Sequence, residues 1–86
     1  MEETKERHKK YLRAINSPIR RDILRSIEEG NDTIDTISKA TNIDMKTLDW
    51  HMKILLDGFC VEKTKKGKFE KYVLTKEGFV VDYLDK

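Results

Sequence analysis

Apolar residues along this chain follow two periods. Up to about residue 57 they recur every three or four positions, the spacing of a helix face, and beyond it they approach alternation. Over residues 3–15, Tyr11, Leu12 and Ile15 form a narrow apolar stripe on a charged background, which predicts a first helix. Ser17-Pro18 then punctuates the chain. Serine is a favoured N-cap and proline is favoured at the first helical position, so a second helix is predicted from Pro18, carrying Ile19, Ile23, Leu24 and Ile27. Gly30-Asn31 closes it. Asp32 or Thr33 can cap a short helix with Ile34, Ile37 and Ala40, followed by Asn42 as a left-handed turn residue. Asp44 can cap a longer helix, 44–57, whose buried stripe is Leu48, Met52, Leu55 and Leu56. Met45, Lys46, Thr47, Asp49, Trp50 and Lys53 then fall largely outside that stripe, and Gly58 ends the helix.

The period changes at Phe59. Phe59 and Val61 on one side, and Phe69, Tyr72 and Leu74 on the other, flank Lys65-Lys66-Gly67-Lys68, which reads as a β-hairpin with a glycine-containing turn. Thr75 can cap a final helix over 76–86, with Phe79, Val80, Tyr83 and Leu84 on one side. The expectation is a mainly α fold with a small β-hairpin (α+β), a single domain over 1–86. Its order is helix, helix, short helix, helix, hairpin, helix.

Composition narrows the function classes. The chain has 86 residues, 37% hydrophobic and 40% charged, with a net charge of +2. No stretch approaches the roughly 18 apolar residues that a membrane-spanning helix needs. The single Cys60 rules out an internal disulfide framework and suits a reducing, cytoplasmic compartment. Charge is uneven: residues 59–75 hold five lysines against Glu62 and Glu70, whereas 31–58 hold three lysines against five aspartates. An anionic partner is therefore expected at the hairpin first. No glycine-rich phosphate loop, carboxylate pair, nucleophile setting or metal cluster is visible, so neither an enzyme nor a cofactor is expected.

Several stretches resemble the winged helix-turn-helix family, and most closely its ArsR-type small transcriptional regulators. Ile15-Asn16-Ser17-Pro18-Ile19-Arg20-Arg21-Asp22-Ile23-Leu24 is similar to the "L-x-x-P-x-R-x-x-I-L" opening of those domains. Residues 34–43 resemble their first helix-turn-helix element, and Met45 to Leu55 resembles the recognition helix with its "T-v-x-x-H-L-k-x-L" core. Gly58-Phe59, the lysine-rich hairpin and Tyr72-Val73-Leu74-Thr75 resemble the wing and the "Y-x-L-T-x-x-G" entry to the last helix. The resemblance implies a DNA-binding transcriptional regulator, a homodimeric repressor reading a pseudo-palindromic site in double-stranded DNA. The paired Cys or clustered His and Asp ligands of metal-sensing members are absent, so no metal is expected.

Within that frame the candidate DNA contacts are Met45, Lys46, Thr47, Asp49, Trp50 and Lys53 on the helix entering the major groove. Lys63, Lys65, Lys66, Lys68 and Lys71 on the wing, 63–71, are candidates for flanking phosphates. Trp50 has two fates: core packing against the wing or the second helix, which is favoured for a lone Trp in a small domain, or an exposed contact with DNA or a protein partner. His51 is expected half-buried and hydrogen-bonded, and Cys60 buried. Arg20, Arg21 and Arg25 either touch the DNA backbone or pair with Asp22 or Glu28. In the resembling families the first and last helices, here 1–16 and 76–86, form the dimer interface, which implies that role for Tyr11, Leu12, Ile15, Phe79, Val80, Tyr83 and Leu84. The competing functions are a protein-docking winged helix centred on Met45 and Trp50, and a nonspecific architectural DNA binder.

Overall fold

The computed structural model describes residues 2–67 and 69–80, with backbone only for residues 2–4, 66, 69 and 80. Four helices precede a two-stranded antiparallel hairpin: α1 (Glu2–Ile15), α2 (Pro18–Glu28), α3 (Ile34–Thr41), α4 (Met45–Asp57), β1 (Val61–Lys66) and β2 (Phe69–Leu74). The start and stop signals act as the sequence predicts. The Ser17 hydroxyl accepts from Arg20 N–H, with Pro18 in the first turn of α2. Gly30, at φ +110°, lets the Gly30 and Asn31 N–H groups turn back onto the carbonyls of Ile27 and Ser26, which satisfies the end of α2. Thr33 and Thr36 cap α3 reciprocally, Asn42 takes the left-handed conformation after it, and Asp44 caps α4. The Ser38 hydroxyl donates to Ile43 O at 2.6 Å and fixes the turn between α3 and α4.

The core lies where α2, α3 and α4 meet. Ile23, Leu24, Ile37, Leu48, Met52 and Leu55 are fully enclosed there, and Ala14 and Ile15 close it from α1. Ile54 is also buried while Leu56 is only half-buried, because α1 packs on a second side of α4 and widens its covered sector. Ala40, expected inside, is exposed on the last turn of α3. In the hairpin Val61 pairs with Leu74, Lys63 with Tyr72 and Lys65 with Glu70, and Gly67 opens the turn at φ +61°. One connection escapes the sequence pattern: Tyr72 N–H donates to Asp32 O at 2.7 Å, which ties the segment between α2 and α3 to β2.

The last predicted element differs over its described residues, 76–80. Thr75 does cap, accepting from Gly78 N–H at 3.1 Å, but the chain then makes a single 3-10 turn at Gly78–Val80 rather than an α-helix from residue 76. The reason is local. Thr75 N–H donates to Cys60 O and its hydroxyl to Phe59 O, which pins this segment to the loop after α4. Gly78 passes so near Cys60 O that a Cβ would collide with it. Tyr83 and Leu84 lie outside the described residues.

Candidate nucleic-acid interface

Helix α4 has two sides with different tasks. Leu48, His51, Met52 and Leu55, spaced i, i+3, i+4 and i+7, point into the core. The opposite side carries Met45, Lys46, Thr47, Asp49, Trp50 and Lys53, all exposed. Asp44 at the N-cap accepts from Thr47 N–H at 3.1 Å. Hydrogen bonds from the Thr47 side chain and backbone hold its carboxyl below the usual aspartate range. Asp49 and Lys53 pair along the helix at 3.3 Å.

Trp50 overturns the core expectation. It is 54% exposed, with its ring edge-on to His51 at 4.9 Å between centroids. The inward sites of α4 are already filled by Leu48, His51, Met52 and Leu55, and position 50 falls on the far side of the helix.

The described wing lysines, Lys63, Lys65 and Lys71, do not share one strand face. Directly opposed residues of an antiparallel pair share a face, so Lys63 and Lys65 lie on the face of Tyr72 and Glu70, and Lys71 on the other with Thr64. Lys63 Nζ is 3.0 Å from Glu70 Oε2 and lies 6.0 Å from the centre of the Tyr72 ring. The hydrogen bond with Glu70 raises its pKa, with smaller contributions from Tyr72 and from Asp49 of α4. Lys71 instead reaches Asp32 at 3.6 Å. Lys65 is exposed, while the Lys66 side chain and Lys68 lie outside the described residues. The α4 side and the β1 side together present Lys46, Lys53, Lys63 and Lys65 against Asp49 and Glu70.

The residues assigned to a dimer face are placed unevenly. Leu12 and Phe79 are 38% and 46% exposed, and Tyr11 is half-buried against the core. Ile15 is a correction: at 5% exposed it sits inside its own subunit, because α1 ends by packing on α2 and α4. The Val80 side chain, Tyr83 and Leu84 fall outside the described residues.

Two residues behind the surface carry more than their sequence reading suggested. Arg20, weighed as a DNA-backbone or salt-bridge residue, is buried. Its guanidinium donates to Ala14 O at 2.9 Å, to Arg13 O at 2.8 Å and to His51 Nδ1 at 3.2 Å. A signal was present: Arg20 shares the i, i+3, i+4, i+7 stripe of Ile23, Leu24 and Ile27. Arg25, by contrast, pairs with Asp22 at 3.2 Å on the surface. His51 is hydrogen-bonded as expected but buried rather than half-buried, and desolvation, then the nearby Arg20 charge, lowers its pKa. Among the described residues no three His, Cys, Asp or Glu side chains are grouped so as to hold a metal ion, and no helix is long and apolar enough to cross a membrane.

No family model matches the sequence, and no curated protein matches it. Among solved structures, the crystal structure of an ArsR family transcriptional regulator superposes with a TM-score of 0.72 at 22% sequence identity, covering 91% of this chain and 80% of that one. The fold is thus a winged helix-turn-helix, with α3 and α4 as its helix-turn-helix and β1–β2 as its wing.

Proposed function

We propose that the chain is a cytoplasmic DNA-binding transcriptional regulator that works as a homodimeric repressor without metal or cofactor. Helix α4 enters the major groove of a pseudo-palindromic duplex, and the wing, 63–71, holds flanking phosphates. The observation that carries this reading is the outward side of α4: Met45, Lys46, Thr47, Trp50 and Lys53 stand exposed, and the strand that follows carries Lys63 and Lys65, exposed as well. Lysines at those positions reach phosphates, and the Trp50 face can pack on a thymine methyl or a deoxyribose. The Asp49–Lys53 and Lys63–Glu70 pairs are solvent-exposed and weak, so phosphate oxygens can replace the carboxylates. The fold shared with a transcriptional regulator supports the same reading. Of the residues assigned to the dimer face, Leu12 and Phe79 are exposed and free for a two-fold contact.

Fluorescence anisotropy of a labelled duplex from upstream of the protein's own gene, against a scrambled duplex at several salt concentrations, tests the proposal. Binding should prefer the native duplex and fall steeply with salt. Lys63→Ala and Lys65→Ala should each flatten the log–log salt slope by about 0.9 and weaken both duplexes alike. Equal affinity for both duplexes would reduce the protein to an architectural binder, and no binding at low salt would sink the proposal. One observation favours a second reading, docking of a protein: Met45 and Trp50 are both at least half exposed on α4. Salt-insensitive association with a protein partner would select it.

A further inference from the structure

Arg20 joins three elements at a single buried point. From the first turn of α2 its planar fork reaches the last carbonyls of α1, those of Arg13 and Ala14, and the imidazole of α4. The two carbonyls are groups that a helix end leaves unsatisfied, so the guanidinium caps α1 while it holds α4. A guanidinium has no acceptor, so His51 Nδ1 must present its lone pair, and the ring proton must sit on Nε2. The neutral imidazole is therefore part of the joint. Trp50, the preceding residue, rests edge-on against that ring and belongs to the outward side of α4. The charged group facing His51 is Arg20 itself, from α2. Arg13, ending α1, adds positive charge beside the guanidinium, and the Cys60 thiol between α4 and β1 stays protonated near neutrality. A second proton on His51 would set two cationic donors face to face, away from water.

We propose that Arg20 is the positioning residue of the groove-facing surface: it fixes α4 against the α1–α2 corner through neutral His51, and protonation of His51 releases the helix and disables the surface in mild acid. For its functional consequence this rests on the DNA-binding reading; the joint itself does not. The predicted sign is unusual. Adding positive charge ordinarily strengthens binding to phosphates, whereas here acidification weakens it.

The test uses the full chain as wild type, His51→Asn and Arg20→Met, with far-UV circular dichroism at each pH to confirm folding. Asparagine puts a carbonyl oxygen where Nδ1 stood and does not titrate. Two readouts are taken between pH 8 and 5: emission of Trp50, the only tryptophan, from the free protein, and anisotropy of a labelled duplex. For the wild type, emission and affinity should change together at a midpoint below 6.5, with affinity falling about tenfold or more. His51→Asn should bind as the wild type does at pH 7.5 and keep that affinity in acid. Folded Arg20→Met should bind about tenfold more weakly at pH 7.5, with no further loss in acid. Wild-type affinity that stays flat or rises as pH falls overturns the proposal. So does an equal acid loss in His51→Asn, or a folded Arg20→Met of undiminished affinity. If the folded wild type binds no duplex at any pH, the DNA-binding reading fails separately. Trp50 emission then still decides the joint: a titration abolished in His51→Asn supports it, and a flat profile overturns it.

Discussion

Gly58 and Phe59 divide two tasks that one glycine often performs at a helix end. The left-handed residue after α4 is Phe59, at φ +61°, and its N–H and that of Cys60 turn back to the carbonyls of Leu56 and Leu55. A β-carbon makes that conformation costly, by about 1–2 kcal/mol. Contacts offset this: the Arg7 guanidinium lies 4.1 Å over the ring, and the Thr75 hydroxyl donates to Phe59 O. The glycine is needed one position earlier, where φ is −86° and any residue would be comfortable. What excludes a side chain there is packing, since a Cβ at position 58 would come within 2.6 Å of Ala14 Cβ and 2.8 Å of Lys10 O. Gly58→Ala should therefore destabilise by about 1–3 kcal/mol through overpacking alone, read as a drop in thermal midpoint. An unchanged midpoint would mean that α1 can move off α4 freely. That glycine's role as a stop was legible in the sequence, but its role as the contact between two helices was not, because it depends on the tertiary approach of α1. Trp50 shows the same division. Its position outside the apolar stripe was readable and correct, and the reasoning that a lone Trp must be core was overruled by inward sites already filled. Arg20 and His51 were legible in principle, since each occupies an inward position on its own helix, but a charged residue on an apolar stripe is easily assigned to the surface.

At the level of elements, the wing is a strip with two unlike faces rather than a uniform basic finger. The face of Tyr72 holds Lys63 and Lys65 with Glu70, and the other holds Lys71, drawn back toward Asp32. Strand alternation makes this split unavoidable, so a lysine count along the sequence overstates how many cations can meet one phosphate track. Under the proposed function Glu70 would oppose DNA binding, because it pairs with Lys63 and lies opposite Lys65. Glu70→Gln should tighten low-salt duplex binding on the order of a few-fold and steepen its salt dependence, with the thermal midpoint nearly unchanged because the pair is exposed. An unaltered salt slope would place this face away from the phosphates. Helices α1 to α4 and both strands were legible because caps, glycines and the two hydrophobic periods agree on them. The last helix was read from the same kind of signal, a threonine cap before apolar spacing. There the tertiary hydrogen bonds of Thr75 to the loop after α4 prevailed, and the described residues make a 3-10 turn.

For the whole molecule, buried and hydrogen-bonded titratable groups close the pH range of stability from both sides. On the acid side, burial and Arg20 lower the His51 pKa from its ordinary 6.5. The unfolded chain therefore binds a proton there before the folded one does, and stability falls as pH drops below about 6.5. Asp44, held low by its hydrogen bonds from Thr47, and Glu77, held low chiefly by its own backbone N–H and also by Arg7, extend the loss into the carboxylate range in the same direction. On the alkaline side the sign reverses. Burial pushes the Cys60 thiol from 9.0 up to about 11, so the unfolded chain loses that proton first and stability falls as pH rises above about 9. Tyr11 and Tyr72, raised mainly by burial, add to the loss above about 10. Cys60 is fully enclosed, and a shift of that size corresponds to on the order of 2–3 kcal/mol once pH has risen past the folded thiol's value, a large share of what so small a domain can hold. The thermal midpoint should accordingly form a plateau between about pH 7 and 9 with a fall on each side. Cys60→Ala separates the alkaline arm: its midpoint should be lower at pH 7.5 through lost packing, yet should decline much less than that of the wild type between pH 8 and 10. An alkaline decline as steep in the variant as in the wild type would show that the thiol is not the group responsible and would transfer the effect to the two tyrosines.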